Sequence, residues 1–447
     1  MVLAALLLGQ IDAQAAHLRH LTEQVRDSVV RDGFSAAVNS NLLPAATEKV
    51  YPGHFTINAD GGGYGNDTTW PGLDSWQMAG AYLLIGKKQT AIDYFDFVCA
   101  SQRKDGNIPF AIFSGDTKND GAFLRGMKWP DDVFEYKPPV RPSAPPGSQV
   151  TKKWFGLFTH WELKSNPLSV LGPICHLLTA AEIFDATKDK KWLRSRIGSI
   201  DEAGAYLMSQ VSSSGLLSGS GFYTERPPRD GWDGMTQCYG AFAFKRLAKM
   251  HAALGDSRSA AAWQTAGSRL ASSFRQKFWV RDHFAEYIHR ERGLVDAHGL
   301  TDTNWAAVGL GVATDKQAKT VWPKLVGDKG WWPGGMPTIT ATKPKTYEDW
   351  EHEVVPFSGT PPYTNDVAAM GRTWYVEALA CKRMGADRRL LESARAVARM
   401  AKGGFWRERY HAVPAGVEPF GTEKYCEYPA VFVRVVLENT RVFMSRR

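Results

Sequence analysis

Six acidic residues, at positions 74, 162, 233, 302, 366 and 423, recur every 57 to 88 residues, each beside an aromatic or His and each just ahead of an apolar helical run. They lie in the stretches Thr69-Trp-Pro-Gly-Leu-Asp-Ser-Trp76, Thr159-His-Trp-Glu-Leu-Lys-Ser-Asn-Pro167 and Glu225-Arg-Pro-Pro-Arg-Asp-Gly-Trp-Asp-Gly-Met-Thr236. The others are Asp296-Ala-His-Gly-Leu-Thr-Asp-Thr-Asn-Trp305, Pro361-Pro-Tyr-Thr-Asn-Asp366 and Phe420-Gly-Thr-Glu-Lys-Tyr425. A unit of this period is too small to bury its own apolar face and must stack against its neighbours. The repeat therefore predicts a closed array of similar units, with one end lined by acids and rings.

Apolar residues recurring at three- and four-residue steps place helices over Ile11–Val30, Leu73–Ile85, Thr90–Gln102, Leu168–Phe184, Lys190–Ser212 and Met235–Leu254. Six more fall over Ser257–Phe278, Asn304–Val312, Asp315–Val326, Asp366–Met384, Arg388–Met400 and Tyr425–Val442. Short glycine-containing turns such as Leu84-Ile-Gly-Lys-Lys88 and Leu254-Gly-Asp-Ser257 join them in pairs, and short turns make antiparallel neighbours. Twelve helices in six pairs predict an all-α fold, an (α/α)6 barrel forming one domain over residues 1–447. The stretches 103–166 and 328–364 read as insertions forming a rim or lid, because scaffold loops of that length are usually functional. Strand signals are weak: Phe278 to His289 reads as a small hairpin.

Composition narrows the function classes. The formal charge of +8 is spread without a basic run longer than two residues, so nucleic acid is not the expected partner. No apolar stretch reaches about 18 residues, so no membrane span is expected. Cys99, Cys175, Cys238, Cys381 and Cys426 are scattered, odd in number and without a CxxC, so neither a disulfide framework nor a zinc ribbon is indicated. Met1 to Ala16 reads either as a clipped signal peptide, implying a secreted or periplasmic protein, or as the start of an ordinary helix in a cytoplasmic one. The 16 Trp, 15 Tyr and 22 Phe are the unusual entry, because indole is a poor core filler but a good surface for the C–H faces of sugars.

Acids travelling with indoles point to carbohydrate chemistry. Six helix N-termini welcome six carboxylates, so capping explains any single acid, but capping does not require the accompanying rings. Hydrolysis of a glycosidic bond needs one protonated carboxyl to serve the leaving oxygen and one ionised carboxylate to activate water. Asp233, after Trp232 and between glycines, suits the acid; Glu423, beside Lys424 in a polar loop, suits the base. Asp230 is the alternative acid and Glu427 the alternative base. Trp70, Trp76, Trp232 and Trp305 are candidate sugar platforms, with Asp74, Arg226, Asp230 and Tyr363 as further substrate-binding candidates. No metal-ligand set or cofactor is expected: Glu351-His-Glu353 lacks the second His of a zinc protease helix, and Gly61-Gly-Gly-Tyr-Gly65 is no phosphate loop.

These motifs resemble those of six-hairpin glycosidases. Arg229-Asp-Gly-Trp-Asp-Gly234 is similar to the Gly-Trp-Asp acid motif of trehalases and processing α-glucosidases, and to a segment of helical-barrel α-L-rhamnosidases. Glu423-Lys-Tyr425 resembles the trehalase segment holding the catalytic base, and Gln102-Arg-Lys-Asp-Gly-Asn-Ile-Pro109 resembles the end of the first hairpin in such enzymes. Tyr363 to Leu379 is similar to their fifth hairpin. The resemblance runs from about Trp70 to Glu438 and implies an inverting mechanism at an exo-acting site. The chain departs from trehalases in carrying Arg229-Asp230 where they have Glu-Ser, which leaves the substrate and the choice of acid open. A sugar epimerase or polysaccharide lyase on the same ring is the alternative enzyme, requiring paired His or Tyr with Arg. A non-catalytic helical binding protein is the third, requiring a steadier repeat.

Overall fold

The computed structural model describes residues 2–46, 53–59, 68–73, 75–114, 133–137, 153–158, 170–219, 229–351, 367–401, 403–413 and 416–445. Helices are α1 (Val2–Gln24), α2 (Ser28–Ala36), α3 (Leu43–Ala45), α4 (Ser75–Leu84), α5 (Lys88–Cys99), α6 (Leu171–Thr187), α7 (Lys190–Ser209) and α8 (Gly234–Leu254). They continue with α9 (Ser257–Phe278), α10 (Asp302–Gly309), α11 (Asp315–Gly327), α12 (Gly371–Met384), α13 (Asp387–Met400), α14 (Glu427–Glu438) and α15 (Thr440–Phe443). Helices α4, α6, α8, α10, α12 and α14 form the inner ring: each packs on the next, and α14 closes on α4. Five outer helices follow their inner partners directly, and the sixth position is taken by α2, which packs on α14 and α13. This is the expected (α/α)6 toroid, with its last hairpin closed between the two ends of the chain.

Inner and outer helices differ as their surroundings require. In α6 nearly every position from Leu171 to Phe184 is buried, because a helix inside a ring has neighbours on all sides. Helix α13 buries only Leu390, Ser393, Ala394, Val397 and Ala398, the stripe of a helix with one wet face. Asp189, Asp233 and Asp256 cap α7, α8 and α9 through their side chains, and Thr314 makes a capping box on α11. Among the described residues no helix is long and apolar enough to cross a membrane, and all five cysteines are free.

Three helix expectations are corrected by competing contacts. The run Ile11–Val30 breaks at Val25, which bridges Met444, and Asp27 caps the new helix α2 from its side chain while pairing with Arg395. The run beginning at Asp366 starts instead at Gly371, because 368–369 are drawn into a strand. The run beginning at Tyr425 starts at Glu427, because Tyr425 bridges Asn58.

Small sheets occupy the connections that lead into inner helices. Strands β1 (Ala111–Ser114), β2 (Val133–Tyr136) and β3 (Trp154–Leu157) form a sheet in the first insertion, in the order β1-β3-β2. The expected hairpin after Phe278 is β5 (Trp279–Val280) with β6 (His283–Phe284). Strand β4 (Trp232–Asp233) pairs with β7 (Tyr287–His289), which pairs with β8 (Gly293–Val295). Finally β9 (Ala368–Ala369), β10 (Arg407–Val413) and β11 (Gly416–Glu423) form the sheet that delivers the chain to α14. Because β4, β8, β9 and β11 each precede an inner helix, they gather at the face where the inner N-termini emerge.

Candidate active site

Asp233 is set by local backbone geometry. It ends β4, opposite Tyr287, and its side chain caps α8 by accepting from the Thr236 amide at 2.6 Å. The glycines on either side are demanded by close approach. Gly231 has φ +113 and an added Cβ would lie 2.3 Å from the Ile288 carbonyl oxygen, while one on Gly234 would lie 2.3 Å from Thr303 Cγ2. The Gly-Trp-Asp-Gly motif thus seats β4 tightly against β7 and the start of α10.

That seating brings three carboxylates onto one buried guanidinium. Arg229, 1% exposed, donates from Nη1 to Asp233 at 2.8 Å, from Nε to Glu286 at 2.7 Å and from Nη2 to Asp302 at 2.8 Å. Tyr347 donates to Glu286 Oε1 at 2.6 Å, and its ring stacks on His298 at 3.7 Å. His298 Nε2 lies 3.1 Å from Glu351 Oε1, to which Tyr287 also donates at 2.5 Å. Four carboxylates therefore share two cationic partners, and all of them are buried.

The charge imbalance is resolved by protonation. Burial, only partly offset by Arg229 and reinforced by the charge of Asp233, pushes the Asp302 carboxyl up to about 7. Burial also opposes the His298 imidazolium, but its bond to Glu351 and the charge of Glu286 win, and its pKa is raised. Glu351 is lowered: burial is outweighed by its bonds to His298 and Tyr287. The cluster thus holds one carboxyl that keeps its proton near neutral pH beside Glu351, which its partners hold as an anion, and acid catalysis requires a division of this kind.

Glu423 lies elsewhere on the same face. It ends β11, its side chain is 53% exposed, and it pairs with Arg407. The turn after it is fixed from behind: Asn58 donates to the Glu423 carbonyl at 2.8 Å, and the Cys426 amide donates to the Ile57 carbonyl at 2.7 Å. Glu427, the alternative base, is fully buried at the first turn of α14, where Arg372 grips it through Nε at 3.0 Å and Nη2 at 2.6 Å. That grip ties α12 to α14, much as Arg229 ties Asp233 into its own cluster. Glu427→Gln is expected to lower stability by roughly 2–3 kcal/mol, read as a lower thermal midpoint, while kcat measured below that midpoint stays near wild type.

The predicted platforms fare unevenly. Trp305 is 0% exposed and packs against Trp322 and Trp331, so it is a hairpin joint and no platform. Trp70 is 3% exposed and meets Phe110 and Phe113 edge-on, walling the β1-β3-β2 sheet. Trp76 lies inside the ring, edge-on to Tyr239 and Tyr375. Only Trp232 remains half-exposed at the motif, with Arg290 5.8 Å from its ring centroid. Asp230 is paired with the same Arg290 at 3.3 Å, outside the Arg229 cluster. Asp74, Arg226 and Tyr363, with the recurring acids Glu162 and Asp366, lie outside the described residues.

Sequence reasoning missed Arg229, Glu286, His298, Tyr347 and Glu351, and read Asp302 only as one of the recurring acids. One signal was present. Glu286 sits in Phe284-Ala-Glu-Tyr-Ile288, and a lone acid within an apolar strand must find a buried partner.

No family model matches the chain, and no curated protein does. Solved structures match its fold. A GH78 family rhamnosidase of Bacillus sp. GL1 superposes with TM-score 0.58 at 14% identity over 92% of this chain, which spans only 35% of that one. A GH63 mannosylglycerate hydrolase from Thermus thermophilus gives TM-score 0.57 at 12% identity, covering 88% of this chain and 98% of that one. A rhamnosidase from Klebsiella oxytoca gives TM-score 0.55 at 12% identity, covering 92% of this chain and 65% of that one. The chain thus has the six-hairpin toroid fold shared by these glycoside hydrolases.

Proposed function

We propose that the protein is an inverting, exo-acting glycoside hydrolase whose proton donor belongs to the Arg229 cluster. The observation that carries this reading is the placement of Asp233, the acid of the Gly-Trp-Asp motif, on the same guanidinium as a carboxyl that holds its proton near pH 7. In this reading the proton that the Asp302 carboxyl holds near pH 7 is the one the cluster supplies. Asp233 passes it to the glycosidic oxygen as the bond to the anomeric carbon breaks. Glu423 takes a proton from the water that attacks the opposite side of that carbon. Glu423 is wet and beside a cation, the setting an ionised base needs.

Alternatives on the same ring have less support. Proton exchange by two histidines finds one, His298, in the cluster, and it is already bonded to Glu351. A purely binding protein leaves the carboxyl that holds its proton near pH 7 without a chemical role.

The test is product release from a panel of glycosides comprising trehalose, aryl α-L-rhamnosides, mannosylglycerate and aryl α- and β-glucosides, with the anomer of the first product followed by NMR. Cleavage of at least one with inversion is the expected result. Absence of hydrolysis across a broad panel, or retention of configuration, overturns the reading.

A further inference from the structure

A cavity lies inside the ring at the opposite end from the carboxylates, toward the C-termini of the inner helices. Its volume is about 490 Å³ and it is walled by the later turns of the inner helices, with Leu84 of α4, Ala186 of α6, Leu310 after α10 and Glu438 of α14 among its lining. The floor toward the catalytic face is Trp76 and Tyr375, in edge contact with each other. Exposed Asp185 and Ala186 mark the mouth.

One corner of this cavity is polar and incompletely satisfied. Arg434, with a side chain 4% exposed, donates from Nη2 to Glu182 Oε1 at 2.5 Å and from Nε to Glu438 at 2.9 Å. Its guanidinium is 4.7 Å from the ring centroids of both Trp76 and Tyr375. Arg434 Nη1 and Glu182 Oε2 are buried without a hydrogen-bond partner. Both converge on Gly80, where an added Cβ would lie 2.6 Å from Glu182 Oε2 and 2.7 Å from Arg434 Nη1. A buried donor and acceptor left side by side cost free energy unless something fills them.

We propose that this cavity is a second ligand site, and that it takes a neutral hydroxylated ring of monosaccharide or cyclitol size. A hydroxyl both accepts from Arg434 Nη1 and donates to Glu182 Oε2, as neither an ammonium nor a carboxylate can. The lining carries no surplus of formal charge to draw an ion: Glu182, Asp185 and Glu438 stand against Arg246, Lys382 and Arg434, and Asp185 already pairs with Arg246 at 2.8 Å. Helix C-termini around the mouth further disfavour anions. The volume falls in the range of small-molecule pockets, and the walls combine an apolar surface with one polar corner, as a sugar does. This assignment rests on the cavity and not on the catalytic reading.

The experiment uses D-glucose, D-mannose, L-rhamnose and myo-inositol as probes, with acetate as the anionic control, and reads ligand-observed NMR and thermal shift on the full chain. Because a sugar can also bind at the catalytic face, the variants decide. Leu379→Trp fills the cavity from α12, and Glu182→Gln removes the charged acceptor. At least one neutral probe is expected to bind the wild type, about tenfold more weakly after Glu182→Gln and undetectably after Leu379→Trp. Should Leu379→Trp not fold, Leu84→Trp fills the same space from α4. Unchanged binding in the folded variants, binding of no neutral probe, or preference for acetate overturns the proposal.

Discussion

Arg229→Met is expected to destabilise the protein by about 3–5 kcal/mol at pH 7. Removing one member of a buried ion pair strands the other without water or counter-charge. Here three carboxylates lose their guanidinium together, each at a contact of 2.8 Å or less. The deficit should shrink as the pH falls, because stranded carboxylates can escape by taking up protons. Urea unfolding at pH 8 and pH 5 provides the check: a larger deficit at pH 8 is the expected result. A deficit under about 1 kcal/mol at both values means that the cluster does not act as a unit. Arg229→Lys should fall between, because a point charge cannot serve three acceptors in three directions.

Asp302→Asn is expected to change the pH dependence of stability more than its size. The Asp302 carboxyl is raised from its ordinary 3.8 to about 7 in the fold. A raised group binds its proton more tightly folded than unfolded, so its contribution is complete below the unfolded value and is lost as pH climbs through 7. The full linkage corresponds to roughly 4 kcal/mol, since each pH unit of separation is worth about 1.4. Asparagine cannot ionise, so the variant should gain on the wild type as pH rises from 4 to 8. Unfolding free energies across that range test it, and a variant-minus-wild-type difference that is flat in pH contradicts the assignment. Where a glycoside is cleaved, the same substitution should also shift the alkaline limb of kcat/KM.

The ring was legible because helix periodicity and turn chemistry are local. Ser257–Phe278 coincides end for end with its expectation, bounded by the Asp256 cap and the change to β5 at Trp279. Errors arose where a distant segment captured the backbone, as Asn58 does at Tyr425 and β10 does at residues 368 and 369. The acid-and-indole pattern did not tell which rings are buried in helix joints. A tryptophan that stacks on a sugar and one that fills a helix joint look alike in sequence, and Trp305 proved to be the latter. The Arg229 cluster was hidden because its members come from residues 229 to 351 and meet only when β4, β7 and α10 pack.

The distal cavity follows from the same geometry. Inner helices that aim their N-termini at one face leave their C-termini at the other, where Leu84, Ala186, Leu310 and Glu438 line the cavity.

The most direct measurement is kcat for Asp233→Asn and Glu423→Gln on whichever glycoside the wild type hydrolyses. Asparagine keeps one acceptor for the cap on α8 but gives up the bond to Arg229, so the fold of Asp233→Asn is verified by circular dichroism before kcat is compared, whereas the side chain at position 423 lies at the surface. Each should lose roughly 10²–10⁴ in kcat with little change in KM. Near-normal turnover in either variant would remove one of the two groups on which proton transfer to and from the sugar depends.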